Sequence, residues 1–107
     1  MRRSHSEALE ILLTHPQNMG MTGGRMIICK EPRFMDAGRI QAEPDFMILQ
    51  GDLCTLVEYK STHLPVALDK AREQLSRAED YLAHIGFKYD KIRKIYVPGD
   101  SSPQVIE

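Results

Sequence analysis

The sequence has few cysteines, no large excess of either charge and no long apolar run. Its two cysteines, Cys29 and Cys54, lie within apolar stretches, which favours two reduced thiols over a disulfide or a metal pair. The formal net charge of -1 excludes a uniformly basic protein that coats nucleic acid. No apolar run approaches the ~18 residues of a membrane span, and no hydrophobic region suited to a signal sequence follows the first residues. We therefore expect a cytoplasmic protein that makes no use of a membrane.

What the chain does contain is an ordinary globular composition. Of its 107 residues, 42% are hydrophobic and 27% are charged, which fits neither a disordered nor a membrane-embedded chain. A chain of this length can bury one core without disulfides or a structural metal. We expect a single domain over residues 1–107, with a flexible tail after about residue 100.

The charges are unevenly distributed along the chain. Residues 34–59 contain one base, Arg39, whereas the segments 1–33 and 60–94 on either side each contain more bases than acids. Five acids fall in the middle segment: Asp36, Glu43, Asp45, Asp52 and Glu58. This pattern indicates either a cation site beside an anionic ligand or a solvated surface of mixed charge.

The element pattern predicts a mixed α/β fold. Ser4 and Glu7 have the spacing of a capping box, so a first helix begins there and ends before Pro16. A strand is predicted at 25–30, a second helix at 65–85 and a last strand at 91–97. Between the first strand and the second helix, two apolar runs at 45–50 and 53–60 flank Gly51-Asp52, which is typical of an antiparallel hairpin. The order is α-β-β-β-α-β, with one helix on each face of the sheet.

Strand alternation brings charged residues together at one end of this hairpin. Glu58 and Lys60 share a face of the second strand, and Asp45 begins the first, so all three lie opposite the turn. Burying such charges is unfavourable unless they pair or bind a metal, and two acids with one lysine leave a negative charge for a divalent cation. Mg²⁺ typically takes one or two carboxylates with waters and phosphate oxygens. The alternative is a plain cross-strand ion pair at the rim of the sheet.

These residues carry a resemblance to a known family. Pro44-Asp45, twelve intervening residues and then Glu58-Tyr59-Lys60 resemble the motif of the PD-(D/E)XK nuclease superfamily. That superfamily has a restriction-endonuclease-like α-β-β-β-α-β core, and the resemblance covers residues 4 to about 98. The length is closest to its small resolvase-like or VRR-type branches.

The resemblance implies a role for each matching position. Asp45 and Glu58 would ligate Mg²⁺ or Mn²⁺ with the backbone carbonyl of Tyr59, and Lys60 would be the catalytic lysine. Many members add an acid from the first helix. Glu7 or Glu10 would take that place here, and we prefer Glu7, although its capping role alone also explains it.

A stripe on the second helix is the candidate nucleic-acid surface. The helix stripe consists of Lys70, Gln74, Arg77 and Tyr81, at four-three-four spacing beside the apolar seam. Three interpretations are open: the stripe faces a phosphate backbone, it contributes Gln74 to the site, or it is a solvated helix flank. Arg39 is a further candidate phosphate contact. One branch of the superfamily has Gln-x-x-x-Tyr in this helix, but here Ala78 stands four residues after Gln74.

We therefore expect a nuclease that hydrolyses DNA phosphodiester bonds with a metal-activated water. Because one module of this size offers little surface to a duplex, a homodimer or a larger complex is expected. The alternatives are a non-catalytic module of the same fold that binds DNA or a protein partner, and an interaction domain whose rim charges form salt bridges. The four histidines lack the spacing of metal ligands, so none is assigned to the site.

Overall fold

The computed structural model describes residues 4–106. The first helix, α1, spans His5–Thr14, and the Ser4 side chain accepts a hydrogen bond from the Glu7 N–H at its start. Pro16 then begins a single 3-10 turn, Pro16–Met19. Of the capping box predicted from the sequence, the bond from the Glu7 N–H to the Ser4 hydroxyl is present, while the Glu7 side chain accepts a hydrogen bond from that hydroxyl at 3.1 Å.

A five-stranded mixed sheet forms the centre of the molecule. The strands are β1 (Ile27–Lys30), β4 (Phe46–Gln50), β5 (Leu53–Lys60), β6 (Lys91–Pro98) and β7 (Gln104–Ile106). They lie side by side in the order β1-β4-β5-β6-β7, and every neighbouring pair is antiparallel except β5 and β6, which are parallel. A separate two-stranded hairpin contains β2 (Phe34–Asp36) and β3 (Arg39–Ala42), and the second helix, α2, spans Pro65–His84.

The two helices cover opposite faces of this sheet. On one face, Cys54 and Leu56 of β5 pack with Leu75 of α2. On the other, Val57 of β5 packs with Leu9 of α1. Since neighbouring strand residues alternate between faces, β5 is buried on both sides. The predicted mixed sheet with a helix on each face is confirmed.

The β2–β3 hairpin lies in a polar segment, between residues 30 and 45, where the sequence predicts no strand. Its turn residues Ala37 and Gly38 both have positive φ, +51° and +77°, which is the backbone that a two-residue hairpin turn requires. Its strands are only three and four residues long, and only Phe34 and Ala42 are buried. Strands this short and exposed leave almost no hydrophobic alternation to detect.

The end of the chain also differs from expectation. We expected a flexible tail after about residue 100, but Gln104–Ile106 form β7 along the edge of β6, with Val105 opposite Ile95. Ile106 is buried in the core on the α2 face. Three residues are too few to show a strand period, so the pairing surface of β6 decides this strand. No helix among residues 4–106 is long and apolar enough to cross a membrane.

Candidate active site

The carboxylates of Asp45 and Glu58 meet where β4 begins and β5 approaches its end. Phe46 of β4 lies opposite Val57 of β5, so the antiparallel register brings Asp45 beside Glu58. The Asp45 N–H donates to Glu58 Oε1 at 3.2 Å, and the Tyr59 N–H donates to Asp45 Oδ2 at 2.7 Å. These reciprocal bonds orient each carboxylate by the main chain of the neighbouring strand.

Both members of this carboxylate pair are nearly removed from water. Asp45 is 6% exposed and Glu58 is 7% exposed. Burial raises the pKa of Glu58 to about 8, with the negative charge of Asp45 adding to the rise and the positive charge of Lys60 opposing it. Buried carboxylates that repel each other require a proton or a cation between them. The site is therefore deficient in positive charge even with Lys60 present.

Lys60 supplies the one ammonium group of this site. Its Nζ lies 3.6 Å from Glu58 Oε2, and its side chain is only partly buried. Glu58 and Lys60 continue the α2 face that Cys54 and Leu56 begin, as strand alternation predicts. The structure thus brings together Asp45, Glu58 and Lys60, the three residues that the sequence singled out.

His5 also joins this site, although sequence reasoning left it out. Its Nε2 donates a hydrogen bond to Asp45 Oδ1 at 3.0 Å, and its ring centroid lies 5.8 Å from that of Tyr59. Forty residues separate His5 from Asp45. Motif spacing detects only ligands that are near in sequence, so this contact had no local signal.

Among the described residues, no hydrogen bond or ion pair joins the predicted third acid, Glu7 or Glu10, to the carboxylate pair. Glu7 bonds to Ser4 at the helix start, and Glu10 pairs with Lys30 of β1. The reason is helical geometry: at roughly 100° per residue, Glu7 stands about 200° around α1 from His5. The first turn of α1 directs His5 to Asp45, where we expected Glu7 or Glu10.

Half of the helix stripe is committed to packing. Gln74 Nε2 donates to the Glu43 carbonyl at 2.8 Å, and Tyr81 Oη donates to the Met35 carbonyl at 2.7 Å. The Tyr81 ring also stacks on Phe34, with ring centroids 5.1 Å apart. These contacts hold the β2–β3 hairpin on α2 and fix the segment that leads into Asp45.

The other half of the stripe is available to solvent. Lys70 and Arg77 are exposed on α2, and Arg77 lies near Glu73, with Nη2 3.9 Å from Oε1. Arg39 is exposed on β3, opposite Asp36 in the hairpin. The structure therefore leaves three of the four predicted nucleic-acid contacts exposed and places Gln74 in a structural bond.

The donor set suits a hard divalent cation that needs few protein ligands. Asp45 and Glu58 supply carboxylate oxygens. Each carboxylate oxygen has two lone pairs, so an oxygen that already accepts one hydrogen bond still has a lone pair for a metal. Mg²⁺ keeps several waters and binds through one or two carboxylates. Residues 4–106 contain no group of three or more His, Cys, Asp and Glu side chains placed to hold a metal. The residues thus fit a site of the two-carboxylate kind and not a fully protein-built cage.

Comparison with protein-family models and with curated proteins gives no match to this chain. Its function must therefore be argued from the chemistry of the site. Fold alone would be insufficient for that argument, because one fold supports many activities.

Proposed function

We propose that this protein is a metal-dependent nuclease that hydrolyses DNA phosphodiester bonds with Mg²⁺ or Mn²⁺. One observation carries the proposal: two adjacent carboxylates, both under 10% exposed, stand beside a lysine at the end of a central strand. Such an arrangement is unfavourable in an inert rim, because buried like charges destabilise the fold unless a proton or a cation lies between them. Phosphoryl transfer needs chiefly positioning and charge neutralisation, so this small set of groups is chemically sufficient.

Each residue of the site has a definite task in this proposal. Asp45 and Glu58 would hold the metal, with the Tyr59 carbonyl as a further oxygen ligand. When bound, the metal acts as a Lewis acid on the phosphate and lowers the pKa of a bound water. The partly exposed ammonium of Lys60 would orient that water and stabilise the charge that develops on the phosphate. His5 would keep Asp45 in its orientation through the 3.0 Å bond.

The exposed basic residues supply the surface for the nucleic acid. Lys70, Arg77 and Arg39 would contact phosphates, which position a strand without reading its sequence. We further propose a homodimer or a larger assembly, since one such module presents limited surface to a duplex. Two free cysteines suit the reducing cytoplasm, where we place the protein.

A second candidate is a non-catalytic module of the same architecture that binds DNA or a protein. Two observations favour it: the absence of a three-ligand group among residues 4–106, and the hydrogen bonds already made by Asp45 to His5 and Tyr59. In such a module, the carboxylate pair would hold β4, β5 and α1 together. Metal binding and cleavage separate the two candidates.

The test is a cleavage assay on plasmid, linear, single-stranded and four-way-junction DNA with Mg²⁺, Mn²⁺ or EDTA. We expect metal-dependent cutting that falls at least about a hundredfold in Asp45→Asn and in Lys60→Ala. Asp52→Asn and Lys88→Ala are matched controls, since both residues are exposed, Asp52 lies in the turn at the opposite end of the β4–β5 hairpin from the site, and Lys88 lies between α2 and β6. Binding of Mn²⁺ is measured in parallel, and Asp45→Asn should lose it whereas Lys60→Ala should largely keep it.

Two results would contradict the nuclease. Cutting that persists in Asp45→Asn would point to a contaminating enzyme. A folded wild type that binds no Mn²⁺ and cuts no substrate would leave the binding module as the better description.

A further inference from the structure

A cavity of about 390 Å³ lies on the α1 face, next to the candidate active site. Its walls come from α1, from the 3-10 turn after it and from the ends of β5 and β6. Ligands of α/β proteins commonly bind beyond the carboxyl ends of parallel strands, and β5 and β6 are the parallel pair of this sheet. The volume falls within the range of small-molecule sites.

The walls of this cavity combine apolar side chains with neutral polar groups. Ile11, Leu12 and Val97 provide apolar surface, and Gln17 and Asn18 provide amide groups. Tyr59 adds an aromatic ring with a hydroxyl. Among the described residues, no charged side chain lines the cavity. It therefore suits a neutral, flat group with hydrogen-bonding edges and does not suit a phosphate or another ion.

The absence of a side chain at Gly99 leaves room for the Tyr59 ring beside this cavity. A Cβ on Gly99 would stand 2.6 Å from Tyr59 Oη and 2.7 Å from the Ser61 carbonyl oxygen, closer than side-chain carbons come to such atoms. The Gly99 N–H also donates to the Lys60 carbonyl at 2.7 Å. The bare backbone at residue 99 thus accommodates the phenol at the end of β5.

Tyr59 connects the cavity to the candidate active site. Its N–H donates to Asp45 Oδ2 at 2.7 Å, while its side chain lines the cavity. Since Tyr59 alternates with Glu58 and Lys60 along β5, the cavity and the charged side chains lie on opposite faces of the sheet, at the same end of the strand. A nucleic-acid strand that passes around this end of β5 would have a phosphate at Asp45 and a neighbouring base at the cavity.

We infer that this cavity is a nucleobase pocket, which receives the base of a nucleotide next to the phosphate that is cut. This inference rests on the proposed nuclease function and deepens it by giving the site a preference for a base at one position. Stacking on an aromatic ring is a frequent mode of base binding in single-stranded nucleic acids. The amides of Gln17 and Asn18 would bond to the edge of the base.

Binding is tested without catalysis, in EDTA, with the four deoxynucleoside 5′-monophosphates as probes. The methyl resonances of Ile11, Leu12 and Val97 report on the cavity by NMR. We expect saturable shifts of these methyls with at least one nucleotide and none with 2-deoxyribose 5-phosphate, which lacks the base. Equal shifts with the two kinds of probe, or no methyl shift with any nucleotide, would overturn the inference.

Two variants test the location of the bound base. Ile11→Trp fills the cavity and should weaken nucleotide binding about tenfold, whereas Val66→Trp makes a similar enlargement at an exposed position of α2 and should leave binding unchanged. Should Ile11→Trp fail to fold, Asn18→Ala removes one amide from an exposed side chain and should weaken binding of the preferred nucleotide. Binding that is unchanged in every folded cavity variant would overturn the pocket.

Cleavage distinguishes failure of this inference from failure of the proposed function. A series of DNA strands carries an abasic analogue at each position in turn. We expect wild type to cut more slowly when one position beside the cut is abasic, and we expect Asn18→Ala to lose part of that dependence. Metal-dependent cutting at the same rate whichever position is abasic overturns the pocket and leaves the proposed nuclease function standing. Base-dependent methyl shifts in a protein that cuts nothing support the pocket and overturn the nuclease.

Discussion

The beginning and the end of β5 are both buried, but burial has different consequences at the two positions. Cys54, the second residue of the strand, is fully buried among apolar side chains, and burial raises the pKa of its thiol to about 11. Glu58, near the end, is 7% exposed, and burial raises the pKa of its carboxyl group to about 8. The physical cause is the same, because a low dielectric disfavours the charged form of either acid.

The difference lies in the neighbours of each group. The environment of Cys54 is apolar, so its thiol stays neutral and inert. Glu58 faces the carboxylate of Asp45 and the ammonium of Lys60, so its charge state depends on those groups and on any cation bound there. Burial alone thus produces a neutral, unreactive core position, whereas burial beside a like charge produces a group whose charge state depends on its neighbours.

The largest expected effect is on the pH dependence of stability at the end of β5. The folded-state pKa of Glu58 is above its ordinary value of 4.5, so the folded protein holds a proton that the unfolded chain releases. The contribution of Glu58 to the free energy of unfolding in EDTA should therefore be greatest below about pH 4.5. That contribution should fall by up to several kcal/mol as the pH rises from there through about 8. Urea unfolding of wild type and Glu58→Gln across this range measures it.

Glu58→Gln should remove that fall in stability, since its amide stays neutral at every pH. Added Mg²⁺ should reduce the fall in wild type alone, because a bound cation replaces the proton. An equal slope in wild type and in Glu58→Gln would contradict the assigned charge state and show that the end of β5 behaves like its beginning.

An intermediate effect is expected at Gly99, which packs against the end of β5. Gly99→Ala would force its Cβ onto Tyr59 Oη and the Ser61 carbonyl, so we expect a loss of about 1–3 kcal/mol in the free energy of unfolding. Gly24→Ala is the matched control, because its Cβ would meet open space and its effect should be small. Chemical denaturation of both variants makes the comparison. Equal stabilities would show that the close approach at Gly99 relaxes without cost.

The smallest effect concerns the beginning of β5 and is measured on the thiols. Cys54 is fully buried with a raised pKa, while Cys29 of β1 is partly buried. A thiol reagent at pH 8 should therefore label Cys29 first in the folded protein and reach Cys54 only upon unfolding. Cys29→Ser and Cys54→Ser, each with one thiol left, give the separate rates. Fast labelling of Cys54 in folded protein would show that the beginning of β5 opens to solvent.

Much of the fold and of the site could be predicted from local pattern. The Gly51-Asp52 turn sets the hairpin register, and the register determines that Asp45 and Glu58 meet. Alternation along β5 then determines that Lys60 shares a face with Glu58. The apolar seam that the sequence predicts on the second helix runs through Leu68, Ala71, Leu75, Ala78, Leu82 and Ile85. Its four middle members are buried, whereas Leu68 is half-buried and Ile85 is exposed. These features depend on neighbours in sequence or on one tight turn, which the sequence displays directly.

The contacts that were missed depend on elements distant in sequence. His5 reaches Asp45 only because α1 packs across the sheet. Gln74, a candidate surface residue in the sequence, instead donates a hydrogen bond to the Glu43 carbonyl, because the β2–β3 hairpin lies on α2. β7 exists because β6 offers an open edge to three residues. None of these contacts leaves a periodic or motif-like trace.

By itself, the sequence determined the order of α1, β1, β4, β5, α2 and β6, the two buried faces of β5 and the meeting of Asp45, Glu58 and Lys60. Tertiary structure alone decided which group of α1 contacts Asp45, which residues of the helix stripe stay exposed, and that a cavity opens beside Tyr59. The physical reason is range: backbone turns and strand alternation act over a few residues, whereas packing of helices on a sheet sets distances between residues that no local pattern relates.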